Sequence, residues 1–145
     1  MNEIEFFFED LETINFHKNI LITKVKYLIN SEIKSIGNIA VIFCSDNYLL
    51  DINKQYLNHH YYTDIITFDY VEENVISGDL FISVDRIREN AKEYEVEMIK
   101  ELYRVVFHGV LHLVGYNDKT DEEQRIMTDK ENYYLSEVDF KGMKL

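Results

Sequence analysis

The chain contains no proline and a single cysteine, and its acidic residues outnumber its basic ones by 27 to 15. One cysteine, Cys44, excludes an intrachain disulfide and fits a reducing compartment. The missing proline, against an average usage of about 5%, accompanies abundant Ile, Asn, Lys and Tyr as a mark of codon bias and carries no functional weight. No apolar run approaches the roughly 18 residues that a membrane span needs. The N-terminus, Met1-Asn-Glu-Ile-Glu5, lacks the positive region that opens a secretory signal. A soluble, cytoplasmic protein with no membrane partner is therefore expected. The net charge of −12 argues against sequence-independent affinity for a polyanion, so nucleic-acid binding needs a local basic surface.

What is present suffices for one ordinary domain spanning residues 1–145, with 46% hydrophobic residues to build a core. Residues 4–8 read as a first strand. Over residues 14–33, Ile14, Phe16, Ile20, Leu21, Val25, Leu28 and Ile29 recur at helical spacing, interspersed with Lys18, Lys24 and Lys26. Residues 39–44 form a buried strand ending at Cys44, a small hydrophobe there. Ser45 is placed to cap a helix running to about residue 57. Further strands fall at 65–70 and 80–84, the latter entered from a turn at Gly78-Asp79. Asp85 is a candidate cap for a helix to about residue 94. A longer helix at 96–114 shows Met98, Ile99, Leu102, Val106, Val110 and Leu113 as one apolar stripe and Glu101, Arg104, His108 and His112 as another. Thr120-Asp-Glu-Glu123 is a capping box opening a last helix through Ile126, Met127 and Tyr134. The expected fold is an α/β (α+β) domain: a small mixed four-stranded sheet packed with about five helices, its strand order undetermined.

The chemistry concentrates in one string, His108-Gly-Val-Leu-His112-Leu-Val-Gly115-Tyr-Asn-Asp118. Spacing of i, i+4 puts both imidazoles on one helix face about one turn apart, within reach of a single ion. Gly115 is the residue type that ends a helix in a left-handed conformation, after which Asp118 can swing back as a third ligand. Asn117-Asp118 is equally ordinary turn chemistry, and two histidines so spaced are often packed or surface groups; the whole pattern favours a metal. Three N/O ligands leave a tetrahedral ion one position open for water, the plan of a catalytic zinc site. One Zn2+ per chain, held by His108, His112 and Asp118, is the expected cofactor. Zinc proteases of the His-Glu-x-x-His type use the glutamate as base. Gly109 stands at that position, so peptide hydrolysis by that route is not expected, and the glycine should leave the helix surface beside the ion open to a bulky substrate. His59 and His60 sit beside Asn58 in a polar loop and read as solvated.

These residues resemble the YbeY family of bacterial endoribonucleases. The histidine string matches the family signature, Thr63-Asp64-Ile65-Ile66-Thr67-Phe68 looks like a second family block, and Gly78-Asp79-Leu80 like a third. Asn53 and Tyr56 match the segment upstream of the second block, and Met127 and Glu131 the last helix. The resemblance implies a zinc-like ion on three side chains and cleavage of single-stranded RNA near the 3′ end of small-subunit ribosomal RNA. It also implies a role in ribosome quality control, with the small ribosomal subunit and ribosome-associated proteins as partners. Two positions depart from the family. Asp118 stands where the third ligand is histidine, adding a negative charge that softens Lewis acidity. Leu57 replaces an arginine implied to hold phosphate, leaving Lys54, Arg104 and the Lys18/Lys24/Lys26 cluster as candidate substitutes, each taken singly better read as a solvated charge or a local salt bridge.

The resulting expectation is hydrolysis by a metal-activated water, with the general base unidentified. Arg104 and Thr67 are candidate substrate contacts, and Asp64 is a structural hydrogen-bonding residue rather than a base. The alternatives are a non-catalytic ribosome-assembly factor with a structural metal and a metallohydrolase of small phosphoesters.

Overall fold

Among the described residues, five helices and four strands follow one another as β1 (Ile4–Phe8), α1 (Lys18–Ser31), β2 (Ser35–Cys44), α2 (Asp46–Leu57), β3 (Ile65–Asp69), β4 (Val75–Ser83), α3 (Val84–Glu93), α4 (Met98–Val114) and α5 (Asp121–Ser136). This computed structural model describes residues 3–57 and 63–145, so His59 and His60 lie outside the described residues. The strands form one mixed sheet in the order β1-β2-β4-β3, with β1, β2 and β4 parallel and β3 antiparallel to β4. Parallel neighbours need crossover connections, and the helices supply them while covering the sheet.

Period-two alternation along the strands assigns their side chains to two layers. Ile65 and Thr67 stand opposite Ile82 and Leu80, on the face where the main core joins the sheet to α1, α4 and α5. Ile66 and Phe68 stand opposite Phe81 and Asp79, on the face where a smaller cluster with Leu49 and Ile52 packs α2. Helix α4 is the centrepiece of the larger layer: Tyr103, Val106, Phe107 and Val110 are fully buried. Burial of such side chains contributes about 1.5–3 kcal/mol each, which makes α4 a firm platform for whatever its remaining stripe carries.

The boundaries differ from expectation where tertiary contacts intervene. Helix α1 begins at Lys18 rather than at 14, because His17 adopts a left-handed φ of 60°. Phe16, just before it, is drawn instead into an aromatic cluster with Phe6 and Phe43, at ring-centroid distances of 4.8 and 5.1 Å. Gly78-Asp79 is not a turn but lies inside β4, which starts at Val75. A Cβ at Gly78 would lie 2.6 Å from the Phe68 carbonyl oxygen and 2.8 Å from Leu113 Cδ2. The glycine is there because strand and helix close over it. Ser45 caps α2 as expected, accepting from Tyr48 N at 3.1 Å. Ser83, not Asp85, caps α3 by accepting from Arg86 N at 3.1 Å, and the Asp85 carboxylate turns to the start of α2, accepting from Asp46 N at 2.8 Å. The Thr120/Glu123 capping box on α5 forms in both directions, at 3.1 and 3.0 Å. No helix among the described residues is long and apolar enough to cross a membrane.

Candidate metal centre

The half-buried stripe of α4 carries Arg104, His108 and His112 along one line, one turn apart. The helix stops at Gly115, whose φ of 125° suits a residue without a Cβ. Its N–H donates to the His112 carbonyl at 3.0 Å and the next N–H, of Tyr116, reaches the Leu111 carbonyl at 3.0 Å, the double closure of a Schellman motif. This turn throws the chain back over the helix end and delivers Asp118 to the two histidines. His108 Nε2 and His112 Nε2 are 3.0 Å apart, and Asp118 Oδ2 lies 3.3 Å from each.

Both rings are held by their other nitrogen. His112 Nδ1 donates to the Tyr116 carbonyl oxygen at 2.8 Å; a carbonyl only accepts, so the proton of the neutral ring resides on Nδ1 and the Nε2 lone pair faces the centre. His108 Nδ1 makes the same bond to Glu131 Oε2 at 2.6 Å. Glu131 is buried on α5, and its second oxygen accepts from Arg104 Nη1 at 2.9 Å, while Arg104 Nη2 donates to Asn132 Oδ1 at 2.7 Å. Burial works against a charge on His108, but the hydrogen bond to Glu131 and the charges of Glu131, Asp64 and Asp118 outweigh it and raise the ring's pKa above the ordinary value.

The turn itself is anchored by a residue distant in the sequence. Glu32, one residue past α1, accepts from Tyr116 Oη at 2.6 Å, from Lys130 Nζ at 3.1 Å and from Tyr134 Oη. Burial pushes that carboxyl up, yet these three hydrogen bonds together hold it below its usual value.

The donor set fits a zinc ion. Bonds of about 2.0–2.2 Å to histidine nitrogen and carboxylate oxygen define a tetrahedron with edges of about 3.3 Å, and the observed separations are 3.0, 3.3 and 3.3 Å. These atoms open on a cavity of about 480 Å3 whose other walls include Asn53, Asp64, Thr67 and Asp69. Asp64 is half-buried there, and burial raises its carboxyl pKa against the opposing pull of His108.

Several expectations need revision against this geometry. Gly109 does not open the helix surface beside the centre: a Cβ there would lie 2.7 Å from Ile65 Cδ1 and 3.0 Å from Leu80 Cδ1, so the glycine serves the close approach of α4 to the sheet. Arg104 is committed to Glu131 and Asn132 and is not among the residues lining the cavity, whereas Thr67 is. Lys24 donates to the Glu137 carbonyl at 2.7 Å. Among the described residues no lysine or arginine lines the cavity. The supports from Glu131 and Glu32 carry no local sequence signal, because each lies 23 or more residues from the group it holds.

A family profile described as endoribonuclease YbeY matches residues 6–139. A protein of Parabacteroides distasonis named endoribonuclease YbeY is 46% identical over 133 residues, covering 92% of this chain and 94% of its own. One of the same name from Phocaeicola vulgatus is 56% identical over 103 residues, covering 71% of this chain and 75% of its own. The solution structure of a Thermotoga maritima protein superimposes with a TM-score of 0.67 at 28% identity, covering 97% of this chain and 99% of that one.

Proposed function

The chain belongs to the endoribonuclease YbeY family, and on that premise we propose that it is a zinc-dependent endoribonuclease hydrolysing phosphodiester bonds in single-stranded RNA. The observation that carries this reading is the triangle of His108 Nε2, His112 Nε2 and Asp118 Oδ2, with edges of 3.0, 3.3 and 3.3 Å, at the wall of an open cavity. When bound, zinc supplies Lewis acidity to a phosphodiester oxygen and acidifies the attacking water. The protein's own part is to hold the two Nε2 atoms unprotonated and aimed, through the Glu131 and Tyr116 acceptors, and to complete the set with Asp118. Thr67, on the lining of the same cavity, offers a hydroxyl to orient the substrate.

In the cytoplasm this activity serves trimming near the 3′ end of small-subunit ribosomal RNA and ribosome quality control. Its partners in this reading are the small ribosomal subunit and ribosome-associated proteins. Family membership supports that placement. Cells depleted of the protein should accumulate small-subunit RNA with unprocessed 3′ ends, rescued by the parent and not by His108→Ala; complete maturation without the protein would remove the placement.

The direct test pairs zinc content by mass spectrometry with cleavage of an unstructured RNA, for the parent, Asp118→Ala and His112→Ala. About one zinc per chain and metal-dependent cleavage are expected in the parent, with both reduced in the variants. Full zinc and full cleavage in His112→Ala would sink the mechanism. The absence of lysine and arginine from the cavity lining among the described residues, with a net charge of −12, favours a second reading: a non-catalytic assembly factor with a structural metal. Equal background cleavage by the parent and His108→Ala, both carrying stoichiometric metal, would select it.

A further inference from the structure

A second cavity, of about 570 Å3, lies on the other face of β3, under α2. Its walls are aromatic. Phe68 and Phe81 pack edge to face at 5.7 Å, and Tyr56 meets Phe68 edge to face at 6.0 Å. Tyr56 is 66% exposed and Tyr70 56%, so both rings present much of their surface to the cavity and solvent. The cavity's charged groups are two carboxylates, Asp51 and Asp79, the latter accepting a hydrogen bond from the Tyr70 hydroxyl at 3.2 Å, and Gln55 adds an amide that both donates and accepts. Among the described residues no cation lines this cavity either.

That combination selects its occupant. Two carboxylates without a cation repel phosphate, so a nucleic-acid backbone stays outside. An uncharged flat ring carrying amino or imino donors is attracted, by stacking on tyrosine and by hydrogen bonds to carboxylate oxygen. The cavity neighbours the candidate metal centre through two elements that line both, although no single described residue does. On β3, Thr67 lines the metal cavity and its neighbour Phe68 the aromatic one; on α2, Asn53 lines the first and Ile52 and Tyr56 the second. Because β3 is the edge strand, a single strand laid across it has one cavity on either side.

We propose that the Tyr56–Tyr70 cavity is a base-stacking subsite that takes one unpaired nucleobase of the RNA whose backbone lies at the metal centre. This rests on the reading of the protein as one that takes single-stranded RNA, and not on the cleavage step. The subsite makes strand selectivity a matter of access: a base held in a duplex is already stacked and paired and cannot enter.

The test measures equilibrium binding of the full chain, loaded with zinc, to a short unstructured RNA by fluorescence anisotropy, and cleavage of the same RNA. Abasic residues are walked along it one position at a time. In the parent, one position should cost about tenfold in Kd when its base is removed. In Tyr56→Leu or Tyr70→Leu the intact RNA should bind about tenfold more weakly and the abasic penalty should fall to within about twofold. Tyr56→Phe should restore it, and zinc content should be unchanged in all variants. No penalised position in the parent, or an undiminished penalty in both leucine variants, would overturn the subsite. A weakening in Tyr56→Leu that ignores which base is absent would also overturn it, pointing to a protein side chain as the occupant. Base-dependent binding through these tyrosines without any cleavage would confirm the subsite and count against the endoribonuclease reading instead.

Discussion

Glu131 does for His108 with a full charge what the neutral Tyr116 carbonyl does for His112, so the two candidate ligands are not equivalent. Carboxylate support of this kind is typically worth 10–100-fold in metal affinity. Glu131→Gln should therefore weaken zinc binding about tenfold in a chelator competition, with the helix content intact; unchanged affinity would show that Glu131 only packs. The proton competes with zinc for the same Nε2. Because the raised pKa of His108 favours the charged ring, zinc affinity should begin to fall at a higher pH than for an ordinary imidazole titrating near about 6.5. A titration from about pH 8 to about pH 5 reads this directly, and a flat profile would remove His108 from the ligand set. In the zinc-free protein the sign reverses: the proton on His108 stabilises the fold in acid, and that stabilisation is lost as pH rises through the folded-state pKa. That His108, His112 and Asp118 would meet was legible, since a helix converts spacing into proximity and its glycine stop turns the chain back. Glu131 showed only as a match to the family's last helix, without its partner, and Glu32 not at all, because their proximity to the centre depends on how α1, α4 and α5 dock.

Between elements, the tightest tolerances lie where α4 meets the sheet. Gly78→Ala would drive a methyl into the Phe68 carbonyl oxygen and Leu113, displacing β3 from β4. Overpacking of this kind costs about 1–3 kcal/mol, so chemical denaturation should register the loss; a variant as stable as the parent would mean that the strand pair yields freely. Glu101 is buried between α3 and α4, accepts a hydrogen bond from Asn90, and is pushed by burial to about 7, with Arg104 opposing the shift. A carboxyl that holds its proton more tightly when folded makes stability fall as pH rises from the unfolded value towards about 7. Glu101→Gln should flatten that part of the stability profile, and an unchanged slope would place the burial cost elsewhere. Element types were legible from periodicity and from the Thr120 and Ser45 caps. Their ends were not, where Phe16 abandoned the helical pattern for the sheet and where Gly78-Asp79, turn-like in composition, proved to be a point of close packing.

Over the whole molecule, a net charge of −12 and cavities without basic lining among the described residues predict an unusual RNA binder. Affinity should come from metal and base contacts, so log Kd should change with log salt by a slope of magnitude below about 3, fewer than four phosphates neutralised. A slope near that of ordinary basic RNA-binding surfaces would require a cationic face not seen in either cavity. The order β1-β2-β4-β3 was beyond the sequence because the third strand in the chain lies at the edge and the fourth is inserted beside the second. That architecture disperses the supports of the metal centre: Glu32 follows the first helix, the histidines sit on the fourth, and Glu131, Lys130 and Tyr134 belong to the last. During synthesis on the ribosome, then, a nascent chain ending before Asp121 carries His108, His112 and Asp118 yet lacks the carboxylate that holds one ring and the groups that clamp the turn. Capture of an ion by these three side chains is therefore expected to wait until α5 has been made and docked.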